Sequence, residues 1–236
     1  MVVLGRPAAY ARRLQRRALV RSAVSIVVAA LGAAVVLGVP GEFPTVRLNV
    51  TGAVAVTVTV TALLARERFA VAARKAGVGI TSEKRVAQAL SRIDGLEAVV
   101  HGALIGAGGD ADHIALGPVC VVIETKTGKG AVSQDRSGAL RVGRRTIPGD
   151  PVAQVARQAQ ALQRHVGYQV TPLVCIPDAT GEPRQMRGVW VCNTRQLAAL
   201  VVAAPRVMRP GEAPAVARDL HRRSVAEQAA RDARTG

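Results

Sequence analysis

The chain has 236 residues, of which 49% are apolar and only 2% are aromatic. This length suits one medium-sized domain with a smaller segment, and the apolar content excludes a disordered chain. Lysine and arginine total 32 against 16 acidic residues, and the resulting charge of +16 excludes an acidic binding module and favours anionic partners, namely nucleic acid or anionic lipid.

Two stretches without a charged residue lie near the beginning of the chain, at 22–39 and 48–65. Eighteen helical residues rise about 27 Å, close to the thickness of a bilayer's hydrocarbon core. The pattern therefore predicts two transmembrane helices, a hairpin over 22–65 with its connector at 40–47. Basic residues dominate the segments on either side, 1–21 and 66–76.

The basic flanks predict the orientation of this hairpin. Positive residues favour the cytoplasmic side, so both termini and the remainder of the chain are expected in the cytoplasm, anchored to the cell membrane by two spans. The same residues would attract anionic lipid headgroups. Three alternatives stay open: a secretory signal peptide within 1–40, a buried strand where Val and Thr alternate at 54–61, and a single span beside an interfacial helix.

The region 77–204 alternates short apolar runs with polar turns, which predicts a folded α/β domain. A helix is predicted over 81–93, with Thr81 or Ser82 as its cap. The predicted strands cover 98–105, 111–117, 119–125, 170–176 and 188–192. Gly117-Pro118 favours a hairpin between the second and third of these strands.

Further elements follow in the same domain. A second hairpin is predicted over 130–147, a helix from Asp150-Pro151 to about His165, and another helix over 194–203. Together the elements predict a mixed central sheet with helices packed on it. The charged tail, 205–236, is predicted to be helical and solvated. All three cysteines lie in apolar runs without a CxxC spacing, which excludes a disulfide framework and a zinc pattern.

Charged residues inside apolar strands indicate a candidate site. Glu124 and Lys126 project from the same face of their predicted strand, because side chains alternate. In the predicted hairpin, Asp112 lies at the same end as Glu124, so two carboxylates and an ammonium converge. Oxygen ligands of this kind suit Mg²⁺ or Mn²⁺, and the lysine could orient an attacking water. Asp110 is interpreted as a turn residue or a helper carboxylate.

The stretch GDADHIALGPVCVVIETKTGKGAV at 109–132 resembles the nuclease-related domain, or NERD, family of the PD-(D/E)XK nuclease superfamily. The segments GVGITSE at 77–83 and DPVAQVARQAQAL at 150–162 extend the resemblance, which covers about 77–200. Position 150 is Asp where the family often has Asn.

The resemblance implies a restriction-endonuclease-like core and assigns roles to individual residues. Asp112 corresponds to the motif aspartate, and Glu124 and Lys126 to the E-x-K pair. Glu83 corresponds to the family's helix glutamate and Gln154 to the glutamine of its Asn-Pro-x-x-Gln helix. Asp112 and Glu124 are therefore the expected metal ligands, with Lys126, Glu83 and Gln154 completing the catalytic set. His113 follows the motif aspartate but has the opposite strand parity, which favours a packing or hydrogen-bonding role.

Arginines in the second hairpin predict a surface for nucleic acid, because cationic side chains neutralise phosphates. The expected contact residues are Lys129, Arg141, Arg144 and Arg145. The sequence thus predicts a membrane-anchored, metal-dependent nuclease, with DNA favoured over RNA and a homodimer expected if it cuts both strands. Two alternatives stay open. One is a NERD-like module that binds nucleic acid without cleaving it, and the other is a membrane scaffold whose positive charge binds only lipid headgroups.

Overall fold

The computed structural model describes residues 1–7, 9–38, 44–106 and 109–235. The chain divides into two compact units, one formed by Met1–Ala9 with Gly79–Gly236 and the other by Tyr10–Val78. The second unit consists of helix α1, Ala9–Gly38, and the first part of helix α2, Pro44–Leu90.

The structure describes most of the predicted membrane hairpin over 22–65. Within the ranges described, no helix combines the length and the apolarity that a bilayer crossing requires, so the hairpin is not supported. Residues 40–43 of the predicted connector lie outside the described residues, and 44–47 form the start of α2 instead of a connector. The segment 54–61, where Val and Thr alternate, lies in helix α2.

The helical conformation of 54–61 excludes the buried-strand alternative for this segment.

A seven-stranded mixed sheet forms the centre of the first unit. Its strands stand in the order β1-β2-β3-β4-β8-β11-β10. Their bounds are Val2–Gly5 (β1), Ala98–Leu104 (β2), Asp110–Leu116 (β3), Cys120–Thr125 (β4), Thr171–Cys175 (β8), Arg184–Met186 (β10) and Val189–Cys192 (β11). β2, β3 and β4 are antiparallel neighbours, whereas β4, β8 and β11 run parallel. The predicted mixed central sheet and the predicted hairpin of β3 with β4 are therefore confirmed.

A smaller four-stranded sheet has the order β7-β6-β5-β9. Its strands are Lys129–Gln134 (β5), Leu140–Val142 (β6), Arg145–Thr146 (β7) and Asp178–Thr180 (β9). β5 begins a few residues after β4, and β9 begins a few residues after β8, so the small sheet continues from the carboxyl ends of two neighbouring strands of the large one. β5 and β6 form the hairpin predicted over 130–147.

Three further helices complete the first unit: α3, Pro151–Val166; α4, Thr194–Val202; and α5, Ala213–Thr235. α3 begins as predicted, since the Asp150 side chain accepts a hydrogen bond from Ala153 N and Pro151 occupies the first turn. α4 begins with a capping box, in which Asn193 and Gln196 each accept a hydrogen bond from the other's backbone N–H.

The large sheet is covered on both faces, and side-chain alternation decides which residue enters which core. Ile114 and Val122 point to the face that packs against α3 and α5, together with Leu162 and Leu220. Ala115, Val121 and Ile123 point to the other face, where the end of α2 and α4 lie. This division places the even-numbered residues of β3 and β4, including Asp112 and Glu124, on the α3 side.

The predicted start of the 81–93 helix is wrong. α2 runs without interruption from Pro44 to Leu90, through Gly77 and Gly79, and Ser82 is buried instead of capping an end. Each glycine costs a helix only about 1 kcal/mol relative to alanine, a cost that packing can offset. Val86 and Leu90 supply that packing, since both are fully buried in the core.

The tail is helical, as predicted, but the first half of this helix, α5, is buried instead of solvated. α5 packs on the large sheet, and its buried positions are Ala213, Ala217, Leu220 and Ser224. Their spacing follows one helix face, but three of the four side chains are small. The Ser224 hydroxyl accepts a hydrogen bond from Leu104 N at 2.9 Å, which fixes α5 to the end of β2.

Strand β1 was not predicted. It pairs in parallel with β2, from Val2 opposite Ala98 to Gly5 opposite His101. Gly5 has φ +76°, and a Cβ atom there would lie 2.1 Å from the carbonyl oxygen of His101. Only glycine fits at this contact.

Candidate active site

The two predicted metal ligands lie side by side on β3 and β4. His113 pairs with Ile123 in this antiparallel hairpin, so Asp112 and Glu124 are the next neighbours along it. Asp112 Oδ2 accepts a hydrogen bond from Thr125 N at 2.7 Å. Glu124 is buried, with an exposed fraction of 2%, whereas Asp112 is half-buried. The structure thus brings together two carboxylates at one end of the hairpin.

Two side chains, Lys126 and Gln158, donate hydrogen bonds to Glu124. Lys126 Nζ donates to Glu124 Oε1 at 2.5 Å and lies 3.5 Å from Gln154 Oε1, a weak contact. Gln158 Nε2 donates to Glu124 Oε2 at 3.1 Å and to the carbonyl oxygen of Asp110 at 2.7 Å. Both carboxylate oxygens of Glu124 are therefore oriented from α3 and from its own strand.

The carboxylate of Asp112 lies beside other carboxylates that repel it. The pKa of its carboxyl is raised well above the usual range, first because burial penalises the charged form and then because the carboxylates of Glu124 and Glu83 repel it. The hydrogen bond from Thr125 N and the charge of Lys126 act in the opposite direction. Glu83, on α2, is therefore close enough to act on Asp112, as the sequence resemblance implied.

Gln158 was missed by sequence reasoning. It is fully buried and joins β3 to β4 through the two hydrogen bonds described above. One feature could have revealed it, because Gln158 lies one helical turn after Gln154 and so shares its face of α3. Its remaining polar atom, Oε1, is buried and has no hydrogen-bond partner within the described part of the chain.

The carboxylate oxygens of Asp112 and Glu124 are ligands of the kind that bind Mg²⁺. Mg²⁺ is commonly held by one or two carboxylates, with water and substrate phosphate as its other ligands. Asp112 and Glu124 supply the two carboxylates, and the partnerless Gln158 Oε1 could accept a hydrogen bond from a water on the ion. Among the described residues, no group of three or more His, Cys, Asp or Glu side chains is arranged to hold a metal.

The predicted nucleic-acid residues lie together on the small sheet, which continues from β4. Lys129 begins β5, Arg141 lies on β6, and Arg144 and Arg145 lie in and after the following turn. Arg141 donates to the carbonyl oxygen of Arg144 at 3.4 Å. In the described ranges none of these four side chains forms an ion pair, so their positive charge is not neutralised locally.

His113 has the hydrogen-bonding role expected from its strand parity. Its Nδ1 lies 2.7 Å from Nδ1 of His101 on β2, and the two buried rings meet edge to face. Burial lowers the pKa of His101 to about 4 and that of His113 well below its usual value, so both imidazoles are neutral near pH 7. The pair lies on the α2 side of the sheet, away from the carboxylates.

A comparison with family models identifies the same region. Residues 78–177 match NERD, the nuclease-related domain. The NERD match begins within α2 and ends just after β8, and it therefore includes every residue of the site. It supports the resemblance found in the sequence and is consistent with a nuclease-related role and with interaction with nucleic acid. Searches of curated proteins and of solved structures found no match.

Proposed function

We propose that this chain is a metal-dependent nuclease that hydrolyses phosphodiester bonds, with DNA favoured over RNA. The observation that carries the proposal is the pairing of Asp112 with Glu124 on adjacent strands, with Lys126 on the same face. The NERD match over the same residues supports it. Structural ion pairs also occur at strand ends, but a second carboxylate beside such a pair raises the electrostatic cost and calls for a cation.

In this proposal Asp112 and Glu124 hold Mg²⁺ or Mn²⁺, which when bound activates water and stabilises charge on the phosphoryl oxygens. Lys126 orients the attacking water and neutralises negative charge that develops on the phosphate. Gln158 holds Glu124 in place, Gln154 contacts Lys126, and Glu83 adds negative charge at the metal. The small sheet binds the flanking phosphates through Lys129, Arg141, Arg144 and Arg145.

Cleavage assays with conservative variants test the proposal. The full-length chain is incubated with labelled DNA or RNA in Mg²⁺, Mn²⁺ or EDTA. Asp112→Asn and Glu124→Gln are each expected to lower the rate about a thousandfold or more, equivalent to about 4 kcal/mol of transition-state stabilisation. Asp94→Asn, a change at an exposed carboxylate outside the site, is the matched control and should retain full activity. Full activity of Glu124→Gln would contradict the assignment.

A binding module without turnover is the second candidate function. The observation that favours it is that both oxygens of Glu124 already accept hydrogen bonds from side chains, those of Lys126 and Gln158. A wild-type chain that binds nucleic acid but cleaves neither DNA nor RNA with any divalent metal would support this candidate. The same result would end the nuclease proposal.

Membrane attachment is a separate part of the proposal and is supported by the sequence alone. The uncharged stretches at 22–39 and 48–65 and their basic flanks favour two spans with the nuclease-like domain in the cytoplasm. Reporter fusions in the connector and after Lys75 test this topology, and a cytoplasmic signal from the connector would contradict it. Contact with anionic lipid and a homodimer likewise stay predictions.

A further inference from the structure

A pocket of about 310 Å³ opens between α3, α5 and the end of β2. Its apolar wall is formed by Leu104, Ile105, Ala161 and Leu220, and its charged wall by Arg164, His165, Arg223 and Glu227. The first set offers a surface for a flat organic group. In the second set Arg164 and Arg223 could hold an anion, whereas the carboxylate of Glu227 could not. A nucleotide combines these two properties in one molecule.

The charges around the pocket leave one arginine unpaired. Asp219 is shared by Arg222, Arg223 and His165 at 3.6, 2.9 and 3.4 Å. Glu227 is paired with Arg231 at 2.8 Å. Arg164 has no ion-pair partner in the part of the chain that the structure describes. Its guanidinium is therefore available for a phosphate, which it can bind through two parallel hydrogen bonds.

The pocket is aligned with the candidate active site along one helix. Gln154, Gln158, Ala161 and His165 follow one another at intervals of four, three and four residues, which places them on one face of α3. From Gln158 to His165 the helix rises about 10 Å. This distance corresponds to about three nucleotides of one strand along a duplex axis. A second contact joins the two regions, since Arg231 of α5 lies 3.7 Å from Asp110.

We propose that this pocket binds one nucleotide of the substrate strand, a few positions from the bond that is cut, with its phosphate on Arg164 and Arg223 and its base against the apolar wall. The proposal rests on the proposed function for its substrate class. It adds a binding subsite formed by α3 and α5, which no sequence pattern predicted.

Binding of a mononucleotide to the full-length chain in EDTA tests the subsite apart from cleavage. Equilibrium dialysis with radiolabelled deoxyadenosine monophosphate should show saturable binding. Arg164→Ala and Arg223→Ala should each weaken it about tenfold or more. Arg218→Ala removes the same charge from α5 outside the pocket and should leave binding unchanged. Unlabelled deoxyadenosine and inorganic phosphate should each compete less well than the mononucleotide.

Three outcomes would overturn the subsite. These are the absence of saturable binding, equal binding by the wild type and Arg164→Ala, and competition by phosphate as strong as that by the mononucleotide, which would reveal a simple anion site. Saturable, Arg164-dependent binding by a chain that cleaves nothing would instead overturn the nuclease proposal alone. If the chain cleaves, Arg164→Ala should raise KM about tenfold and leave kcat unchanged, because Arg164 does not touch the bond that is cut.

Discussion

Without a bound cation, the ionised carboxylate of Asp112 lowers the free energy of unfolding, and this effect can be measured. Since its folded-state pKa is raised, its contribution to the free energy of unfolding is present at low pH and is lost as the pH rises through that pKa. Asp112→Asn removes the repelling charge. In EDTA near pH 8 this variant should therefore melt above the wild type, by about 2–4 °C for each kcal/mol of repulsion removed.

The same pair of proteins gives a test of metal binding that does not depend on activity. Addition of Mg²⁺ or Mn²⁺ should raise the melting temperature of the wild type, because a ligand that binds only the folded state stabilises it. The melting temperature of Asp112→Asn should respond much less. An equal response of both proteins would place the cation elsewhere.

The neutral histidine pair predicts acid sensitivity. His101 has a folded-state pKa of about 4 against about 6.5 in an unfolded chain, so the unfolded state binds more protons between these values. The free energy of unfolding should fall as the pH is lowered from about 6.5 towards 4. Denaturant titrations at pH 7 and pH 5 measure the fall. The double variant His101→Gln, His113→Gln should show a smaller one; an identical fall would contradict the assignment.

At the scale of elements, α3 is the helix that orients the candidate site, and its first turn is held by an unusual contact. Asp150 and Arg187 both have positive φ, 40° and 50°, and their side chains form a two-pronged ion pair. Backbone conformations of this kind cost about 1–3 kcal/mol each and persist only when other contacts hold them. Arg187 was not among the predicted residues, because nothing in its local sequence distinguishes it.

Loss of this ion pair should loosen the start of α3. Arg187→Ala is expected to cost about 1 kcal/mol of stability, since the pair is half-exposed, and to lower kcat by misplacing Gln154 and Gln158. Arg184→Ala, on the same hairpin but without this contact, is the control. Arg187→Lys should restore stability only in part, because an ammonium cannot make both hydrogen bonds. Unchanged kcat in Arg187→Ala would show that α3 is held by its core packing alone.

The small sheet predicts the salt dependence of nucleic-acid binding. Replacing Arg141, Arg144 and Arg145 with alanine should weaken binding and flatten the plot of log affinity against log salt concentration, because fewer counterions are released. The triple variant Arg92→Ala, Arg195→Ala, Arg206→Ala removes the same charge from exposed positions elsewhere. Filter binding over a range of salt concentrations should separate the two, and equal slopes would contradict a role for the small sheet.

The sequence predicted the elements whose signals are local. β3 and β4 are apolar runs divided by Gly117-Pro118, and α3 begins at a capping Asp followed by Pro, so their positions and the convergence of Asp112 with Glu124 followed directly. The packing of α5 depends on small side chains such as Ala213 and Ala217, which have no strong periodic apolar signal. Gln158 and Arg187 act through partners distant in sequence, and such contacts require the fold itself.

At the scale of the whole molecule, the edge of the large sheet depends on β1. Gly5→Ala should open the contact of β1 with β2, because its Cβ would meet His101 O and because its φ is positive. Hydrogen exchange should then accelerate in β1 and at the adjoining edge of β2. Gly181→Ala is the matched control, since its φ is also positive but no atom lies within 4 Å of the added Cβ. Equal exchange in both variants would show that β1 contributes little to the edge.

The parallel pairing of β1 with β2 also has a consequence for the order of folding. Val2 meets Ala98, a partner about a hundred positions later in the chain, and the entropy cost of closing a loop grows with its length. Hairpins such as β2-β3-β4 close much shorter loops and should form first. During synthesis β1 therefore leaves the ribosome before every other strand of the sheet, yet it is expected to be the last to join it.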